Sequence, residues 1–329
     1  MMGRGCTIGT LRTAWVFVLV FSALVGGTYA TLPGLSDRVR NITVARPPAN
    51  PAYLAHDRGG HVDHHVLYFG TDADAIANLR AADVLFIGTS RMMFAVRARV
   101  MTPWAADHGL RYYSLGFGFR EADSFPLELI RKWDLRPKLV VINVDGFFGR
   151  GLSPWAVRVM RDTPFAARKR LWEAELSHWG RRWLHRVIPN WIDLFGRPGF
   201  PAGDEFIAYR SSVNGVWAVS PWPEPTMAAP SMDFVPEEVG PREADAARAF
   251  KAELDSRGAR MLLTYVPTPE DAGGNPVAIG QVLGVPVVGL GVDGLTSHDG
   301  SHLSEESAVI WSRRLIQEFG PYLPAPVPR

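Results

Sequence analysis

The sequence is poor in cysteine and in net charge, and each shortage excludes a class of protein. Its 329 residues include one cysteine, Cys6, which excludes a disulfide scaffold and a cysteine-based zinc site. Lys and Arg number 35 against 33 Asp and Glu, and the net charge of +2 lacks the basic excess of a nucleic-acid-binding protein. The mean hydropathy of −0.01 is typical of neither a disordered chain nor a protein with many membrane spans.

The first long feature is an uncharged, apolar stretch over residues 13–35. About 20 apolar residues are enough to cross a lipid bilayer as a helix. Arg4 and Arg12 precede the stretch, which predicts a cytoplasmic N-terminus and places the rest of the chain in the periplasm or its equivalent. Thr28-Tyr29-Ala30 resembles a cleavage site, so a cleaved signal peptide is the alternative. We expect a single-pass protein of the inner (cytoplasmic) membrane with an exported domain.

We divide the chain into a transmembrane signal-anchor at 1–35, an extracytoplasmic spacer at 36–74 and an α/β domain at 75–329. The proline-rich residues 46–51 predict a stiff, extended segment in the spacer. The spacer also carries four closely spaced histidines with no carboxylate or cysteine pattern of a standard metal site, so we expect them in exposed loops. They are His56, His61, His64 and His65.

Residues 151–240 interrupt the domain with an insertion that shows no strand rhythm. Five of the 11 tryptophans lie between Trp155 and Trp191, interleaved with arginines. This composition fits a helical cap packed over the sheet. It also fits a surface helix on an anionic membrane or a cleft that stacks sugars.

Outside the insertion, short apolar runs alternate with helix-like segments. Four apolar runs predict buried strands, at 84–87, 112–115, 139–142 and 261–266. A weaker run at 285–288, which contains a proline, predicts an edge strand. Helices are predicted at 76–82, 123–133, 243–257 and 304–319. This order predicts parallel strands joined by crossover helices, and therefore a three-layer α/β sandwich with a parallel sheet.

The first chemical candidate is Ser90, in Gly88-Thr89-Ser90-Arg91, where a buried strand turns into a helix. Ligands of open α/β sheets bind at the carboxyl ends of the strands. A serine there can attack a carbonyl carbon while its own N–H stabilises the oxyanion. The alternative is a helix-capping serine. The second glycine of G-x-S-x-G is missing, so an α/β-hydrolase elbow is not indicated.

The second candidate is Asp299-Gly300-Ser301-His302, just before the last predicted helix. A nucleophilic serine needs a base that is oriented by a carboxylate, and this spacing can place Asp299 and His302 on one rim. The alternative is a loop histidine beside a capping aspartate. His298 is offset from Asp299 in a way that predicts no such pair, and Asp293 is a lesser rival for the carboxylate.

The order Ser90, Asp299, His302 resembles the SGNH/GDSL hydrolase superfamily. The resemblance covers about 80–145 and 243–319, where the first block implies a serine nucleophile and the last block, D-x-x-H, implies the aspartate and histidine. It implies a flavodoxin-like sandwich. With the N-terminal anchor, the chain looks most like the membrane-anchored DltD-type branch, whose members partner membrane-bound O-acyltransferases in modifying cell-envelope polymers.

The middle blocks of the superfamily match loosely. The oxyanion-hole glycine corresponds to Gly118 or Gly116, or the register places Phe119 there, and Ser90 would supply its own N–H. The third block is usually G-x-N-D, whereas this chain has Asn143-Val144-Asp145-Gly146. The asparagine position is therefore filled by Asp145 or shifted to Asn143, and an ionised Asp145 is unable to donate to an oxyanion.

The resemblance implies a serine O-acyltransferase or esterase that acts through a Ser90 acyl-enzyme on an envelope polysaccharide or a similar hydroxyl or ester substrate. Expected partners are that polysaccharide or an acylated small substrate, a membrane-bound O-acyltransferase, and the membrane itself. We expect no cofactor, no metal and no nucleic acid. The alternative is a non-catalytic envelope protein of the same fold that binds glycan or membrane through its insertion.

Overall fold

The computed structural model describes residues 51–57, 60–118, 121–187, 207–220, 222, 224–230, 234–235, 237–270 and 273–323. The chain forms two units, and the larger one, Ala45–Glu175 with Glu205–Arg329, holds every element below except the second half of α7. The strands are β1 Ala52–Asp57, β2 Gly60–His61, β3 Val84–Gly88, β4 Tyr112–Gly116, β5 Leu139–Asn143, β6 Ile207–Ser211, β7 Trp217–Ser220, β8 Met227–Ala228, β9 Arg260–Thr264 and β10 Thr296–Ser297. The helices are α1 Asp63–Phe69, α2 Ala73–Arg80, α3 Ser90–Ala95, α4 Ala98–Asp107, α5 Ser124–Lys132, α6 Pro154–Arg161, α7 Pro164–Val187, α8 Pro241–Ser256, α9 Pro276–Leu283 and α10 Glu305–Phe319.

A four-stranded parallel sheet, in the order β4-β3-β5-β9, forms the centre of the larger unit. Every residue of β3, β4 and β5 is buried, as expected of parallel strands covered by helices on both faces. Leu85 and Ile87 pack with residues of α1, α2, α5, α8 and α9. Val84 and Phe86 pack on the opposite face with residues of α3, α4 and α10. The predicted α/β sheet with helices on both faces is thereby confirmed.

The strand order fixes where a site can form. In chain order the parallel strands lie 2-1-3-4, so the chain leaves β3 toward one edge to form β4 and then crosses back to form β5 on the other side. The crevice at such a switch point, at the carboxyl ends of the two central strands, is where open α/β sheets bind ligands. Ser90 follows β3 and Asp145 follows β5, so both candidates stand at this point.

The predicted helix boundaries rest on local chemistry that the structure shows. The Ser304 side chain caps α10 by accepting a hydrogen bond from the Ser307 N–H. Gly258 follows α8 with a φ of +72°, the left-handed conformation that ends helices. The weak run at 285–288 contributes a single parallel bridge, Leu263 to Val287, instead of a strand. Its proline leaves too few donors for a longer ladder.

Part of the predicted 36–74 spacer is folded onto the domain. Strand β1 pairs antiparallel with β6 of the insertion, in a sheet of order β2-β1-β6-β7. Helix α1 packs against the main core through Leu67. The expectation of exposed loop histidines is wrong, because His64 and His65 are buried in α1 and the other two, His56 and His61, lie in strands β1 and β2.

The buried His64 side chain lies between two carboxylates, one from the adjacent Asp63 and one from Glu121, which is distant along the chain. The ring of His64 lies between Asp63, at 2.9 Å, and Glu121, at 3.3 Å. The Arg210 side chain of β6 donates to Asp63 at 3.1 Å and to the Ser114 carbonyl. All five of these residues are buried. No sequence pattern predicts the contacts with Glu121 and Arg210, because these residues are far from His64 along the chain.

The insertion at 151–240 contains strands β6, β7 and β8 as well as the helices α6 and α7, so the expectation that it lacks strands is wrong. Strand β8 pairs with β10, immediately before the Asp299 loop. The predicted signal-anchor at 1–35 lies outside the described residues. In the part of the chain that the structure describes, no helix has the length and apolar character needed to cross a membrane.

Candidate active site

Ser90 is the first residue of α3, directly after the carboxyl end of β3. The Thr89 side chain caps this helix by accepting from the Arg91 N–H. The turn is tight, since a Cβ on Gly88 would lie 2.8 Å from Met92 Cβ and 2.9 Å from Asn143 Cβ. The turn therefore needs glycine, and Ser90 is held at the sheet edge with its side chain half-buried.

Asp299 and His302 lie in the loop between β10 and α10, which is organised around the buried hydroxyl of Ser297. This hydroxyl donates to the His302 carbonyl at 2.7 Å and accepts from the Gly300 N–H at 2.8 Å. Gly300 adopts a φ of +86°, which favours glycine. The hydrogen bonds of the Ser297 hydroxyl therefore hold the backbone of this loop in place.

The structure brings Ser90, His302 and Asp299 together in one hydrogen-bonded chain. Ser90 Oγ lies 2.8 Å from His302 Nε2. His302 Nδ1 lies 2.7 Å from Asp299 Oδ2. Asp299, and not Asp293, is the carboxylate on this histidine. This is the arrangement in which a histidine can take the serine proton while a carboxylate holds its ring in the required tautomer.

Asp299 is built to remain ionised. Its other oxygen, Oδ1, accepts from the N–H groups of Ser301 at 2.9 Å and His302 at 2.8 Å. Partial burial alone would raise the pKa of Asp299. The hydrogen bond and charge of His302, together with the Ser301 N–H, outweigh burial and hold this pKa well below its ordinary value.

The two candidate oxyanion glycines differ in their surroundings. Gly116 is the last residue of β4, and a Cβ there would lie 2.9 Å from the backbone nitrogen of Met93 in α3. Gly116 therefore allows α3 to approach the sheet closely. Gly118 lies two residues further on, in a bend, and is buried. Phe119 lies outside the described residues.

Asn143 and Asp145 both lie beside the serine turn, and both are buried. Asn143 Oδ1 accepts from the Val266 N–H at 2.8 Å, while its Nδ2 has no hydrogen-bond partner among the described residues. Asp145 Oδ2 accepts from the Thr89 hydroxyl, next to the nucleophile. Burial raises the pKa of Asp145 to about 7, against the opposing effects of Thr89 and the nearby Arg91 charge.

Aromatic side chains that no sequence pattern predicts line one side of the His302 ring. The Phe94 ring, one turn after Ser90 on α3, lies 4.6 Å from the His302 ring. Trp222, contributed by the insertion, contacts Phe94 at 5.6 Å and carries the Arg97 guanidinium 4.3 Å from its ring centre. The spacing of Phe94 from Ser90 was visible in the sequence, whereas the contact with Trp222 depends on tertiary packing.

A second histidine also belongs to this loop. The His298 ring stacks on His302 at 5.7 Å with an interplanar angle of 17°, and its Nε2 lies 3.5 Å from Asp299 Oδ2. His302, and not His298, makes the hydrogen bond to the Asp299 carboxylate, and His298 Nε2 approaches the same carboxylate without hydrogen-bonding it. Burial lowers the pKa of His298, against the opposing charge of Asp299. Ligand atoms of His298, Asp299 and His302 all lie within 4.8 Å of one another.

The chain matches no protein-family model, no curated protein and no solved structure in comparisons with known proteins.

Proposed function

We propose that this protein is a serine O-acyltransferase or esterase of the SGNH type, which forms an acyl-enzyme on Ser90. The observation that carries the proposal is the chain from Ser90 Oγ to His302 Nε2 at 2.8 Å and from His302 Nδ1 to Asp299 Oδ2 at 2.7 Å. The strand order 2-1-3-4 and the place of Ser90 after the first parallel strand support a flavodoxin-like sandwich of this type. The short Ser90–His302 distance favours an enzyme over a non-catalytic protein of the same fold.

The reaction follows from the positions of the protons. Ser90 Oγ attacks the acyl carbonyl carbon of an ester as its proton passes to His302 Nε2, while His302 Nδ1–H remains hydrogen-bonded to the ionised Asp299. The carbonyl oxygen becomes an oxyanion. As the carbon–oxygen bond to the alcohol breaks, that alcohol takes the proton from Nε2 and leaves. An acceptor hydroxyl or water then gives its proton to Nε2 and attacks the acyl carbon, and as the carbon–oxygen bond to Ser90 breaks, Ser90 Oγ takes the proton back from Nε2.

The N–H of Ser90 is one donor for the oxyanion, since the first N–H groups of a helix have no partner within it. Gly118 and Asn143 are the candidates for the second donor. An Asn143 Nδ2 without a partner is what an amide donor requires, because its Oδ1 is already held by Val266. Asp145 fits this role less well, since its Oδ2 already accepts from Thr89.

Labelling of the serine tests the proposal. The full chain, purified in detergent, should react with a fluorophosphonate probe and release p-nitrophenol from p-nitrophenyl acetate. The Ser90→Ala variant should lose both, whereas Ser256→Ala, on the exposed end of α8, should retain both. Labelling that persists in Ser90→Ala would exclude Ser90 as the nucleophile. The ratio of transfer to hydrolysis is then measured with a polysaccharide acceptor added in increasing amounts.

The insertion supports a second, membrane-facing role. Phe165 and Trp172 are exposed by 79% and 62% and lie seven residues apart on α7, hence on one face of the helix. Arg168 and Lys169 between them are also exposed. Apolar and basic side chains so arranged favour an anionic membrane surface.

Hydrogen exchange tests this second role. The full chain is reconstituted in vesicles of phosphatidylcholine with or without phosphatidylglycerol. Exchange over residues 164–175 should slow with the anionic lipid, and this protection should vanish when Phe165 and Trp172 are both replaced by Ser. Equal exchange in both kinds of vesicle would contradict membrane docking by α7.

A further inference from the structure

His298 is a partly buried histidine for which the proposed acyl-transfer chemistry has no use. Its side chain is 6% exposed, and its ring lies 5.7 Å from that of His302 and 6.0 and 6.1 Å from those of Phe94 and Trp222. These ring contacts do not determine which of the two ring nitrogens carries the proton. That depends on the hydrogen-bond partners of each nitrogen.

One nitrogen of His298 is assigned by its partner. Nδ1 lies 3.2 Å from the Leu303 carbonyl, and a carbonyl only accepts, so Nδ1 carries a proton. In the neutral ring Nε2 then bears a lone pair. Nε2 makes no hydrogen bond among the described residues and faces Asp299 Oδ2 at 3.5 Å. Two acceptors therefore face each other in a half-buried loop, an arrangement that a cation between them would stabilise.

We propose that His298 Nε2, Asp299 Oδ2 and His302 Nδ1 form a binding site for a divalent transition metal, with Zn²⁺ the best fit, and that the bound metal switches off Ser90. Two imidazoles and one carboxylate, with a water in the fourth position, are a common Zn²⁺ ligand set. Tetrahedral Zn²⁺ with bonds of about 2.0–2.1 Å holds its ligand atoms roughly 3.3 Å apart. The three ligand atoms already lie within 4.8 Å of one another.

Inhibition follows from the tautomer of His302, and this part of the inference rests on the proposed function. Without metal, Nδ1 carries the proton and donates it to Asp299, so the Nε2 lone pair accepts from Ser90. A metal on Nδ1 needs the lone pair there, so in the neutral ring the proton moves to Nε2. Nε2–H then donates to Ser90 Oγ and is unable to take its proton. His302 keeps its proton but no longer acts as the base for Ser90.

The binding test is independent of catalysis. Titration calorimetry uses the full chain without a histidine tag and with Ser90→Ala, which removes the nucleophile and keeps all three ligands. We expect one Zn²⁺ site of micromolar affinity, weakened at least tenfold by His298→Asn, whose amide can still donate to Leu303. The matched control His108→Asn, at an exposed histidine after α4, should bind as the parent does. Equal affinity in the His298 and His108 variants would overturn the proposal.

A spectroscopic test needs no His298 variant and so does not depend on its folding. Co²⁺ in this site should give tetrahedral visible absorption bands that one equivalent of Zn²⁺ abolishes. Absence of these bands would overturn a tetrahedral site. On the protein with Ser90 intact, Zn²⁺ should slow fluorophosphonate labelling, and a chelator should restore it. If labelling fails even without metal, the proposed function fails, while calorimetry and Co²⁺ absorption still decide the metal site. Labelling unaffected by saturating Zn²⁺ would overturn the inhibition.

Discussion

Replacing Asp299 by Asn should separate the tautomer of His302 from the fold of its loop. Asp299 Oδ1 accepts two backbone N–H groups, and the oxygen of an asparagine can take over both bonds. The amide NH₂ then occupies the position of Oδ2, 2.7 Å from His302 Nδ1. The opposite amide orientation sacrifices the two backbone bonds, at a net cost of about 1–3 kcal/mol, and is disfavoured.

A donor opposite Nδ1 forces the proton of His302 onto Nε2, where it faces Ser90. In serine hydrolases the wrong tautomer lowers kcat by about 10⁴-fold. That factor equals about 5.5 kcal/mol of activation free energy. We therefore expect Asp299→Asn to slow acylation by roughly 10³- to 10⁴-fold, without loss of the folded state. The depressed pKa of Asp299 keeps it ionised across the usual assay range.

The assay is the rate of fluorophosphonate labelling of Ser90, with thermal unfolding measured on the same samples. The matched control is Asp293→Asn, which makes the same charge change at an exposed site earlier in the segment that leads to β10. This control should label within about twofold of the wild-type rate, as distant surface changes usually do. If Asp299→Asn labels within tenfold of wild type, or if the two variants slow equally, Asp299 does not orient His302.

Three further predictions concern buried groups near the sheet. Because the pKa of Asp145 is raised to about 7 from 3.8, its contribution to stability is lost as pH rises from about 4 to 7; urea unfolding should show Asp145→Asn gaining up to about 4 kcal/mol over wild type between pH 4 and pH 8, and a pH-independent difference would contradict this. Gly116→Ala places a Cβ 2.9 Å from the Met93 nitrogen, so urea unfolding should show a loss of about 1–3 kcal/mol, and an unchanged midpoint would exclude the close contact. Arg210→Met removes the guanidinium paired with the buried Asp63 carboxylate, which keeps its contacts with His64, and should cost about 3–5 kcal/mol by the same method, with much of the loss restored when Asp63 is also changed to Asn.

Much of the fold could be read from the sequence because the signals are local. Short apolar runs predict the buried strands. The start of α10 is predicted by Ser304, whose hydroxyl caps the first turn of the helix. The part of the chain expected to be a spacer was misjudged for the opposite reason. Strand β1 becomes a strand by pairing with β6, about 150 residues away, and no local pattern encodes that partner.

In the candidate site, too, some residues could be predicted from local sequence patterns and others could not. Ser90 and the Asp299–His302 pair could be found because each occupies a recognisable turn at the end of a strand or the start of a helix. The oxyanion donors could not be chosen, since Asn143 and Asp145 differ in function only through the partners that packing gives them. His298 was set aside as the base, and its ring contact with His302 and its 3.5 Å approach to Asp299 could not be read from the sequence, because they depend on how the loop folds.

The sequence by itself determined which residue types stand at the carboxyl ends of the strands, because strands, caps and turns depend on side chains a few residues apart. Only the tertiary structure decided that Ser90 and His302, 212 residues apart, meet at 2.8 Å. It also decided that a tryptophan of the insertion backs the histidine and that a second histidine shares its carboxylate. Contacts of this kind depend on how helices pack on the two faces of one sheet, and that packing is a property of the whole chain.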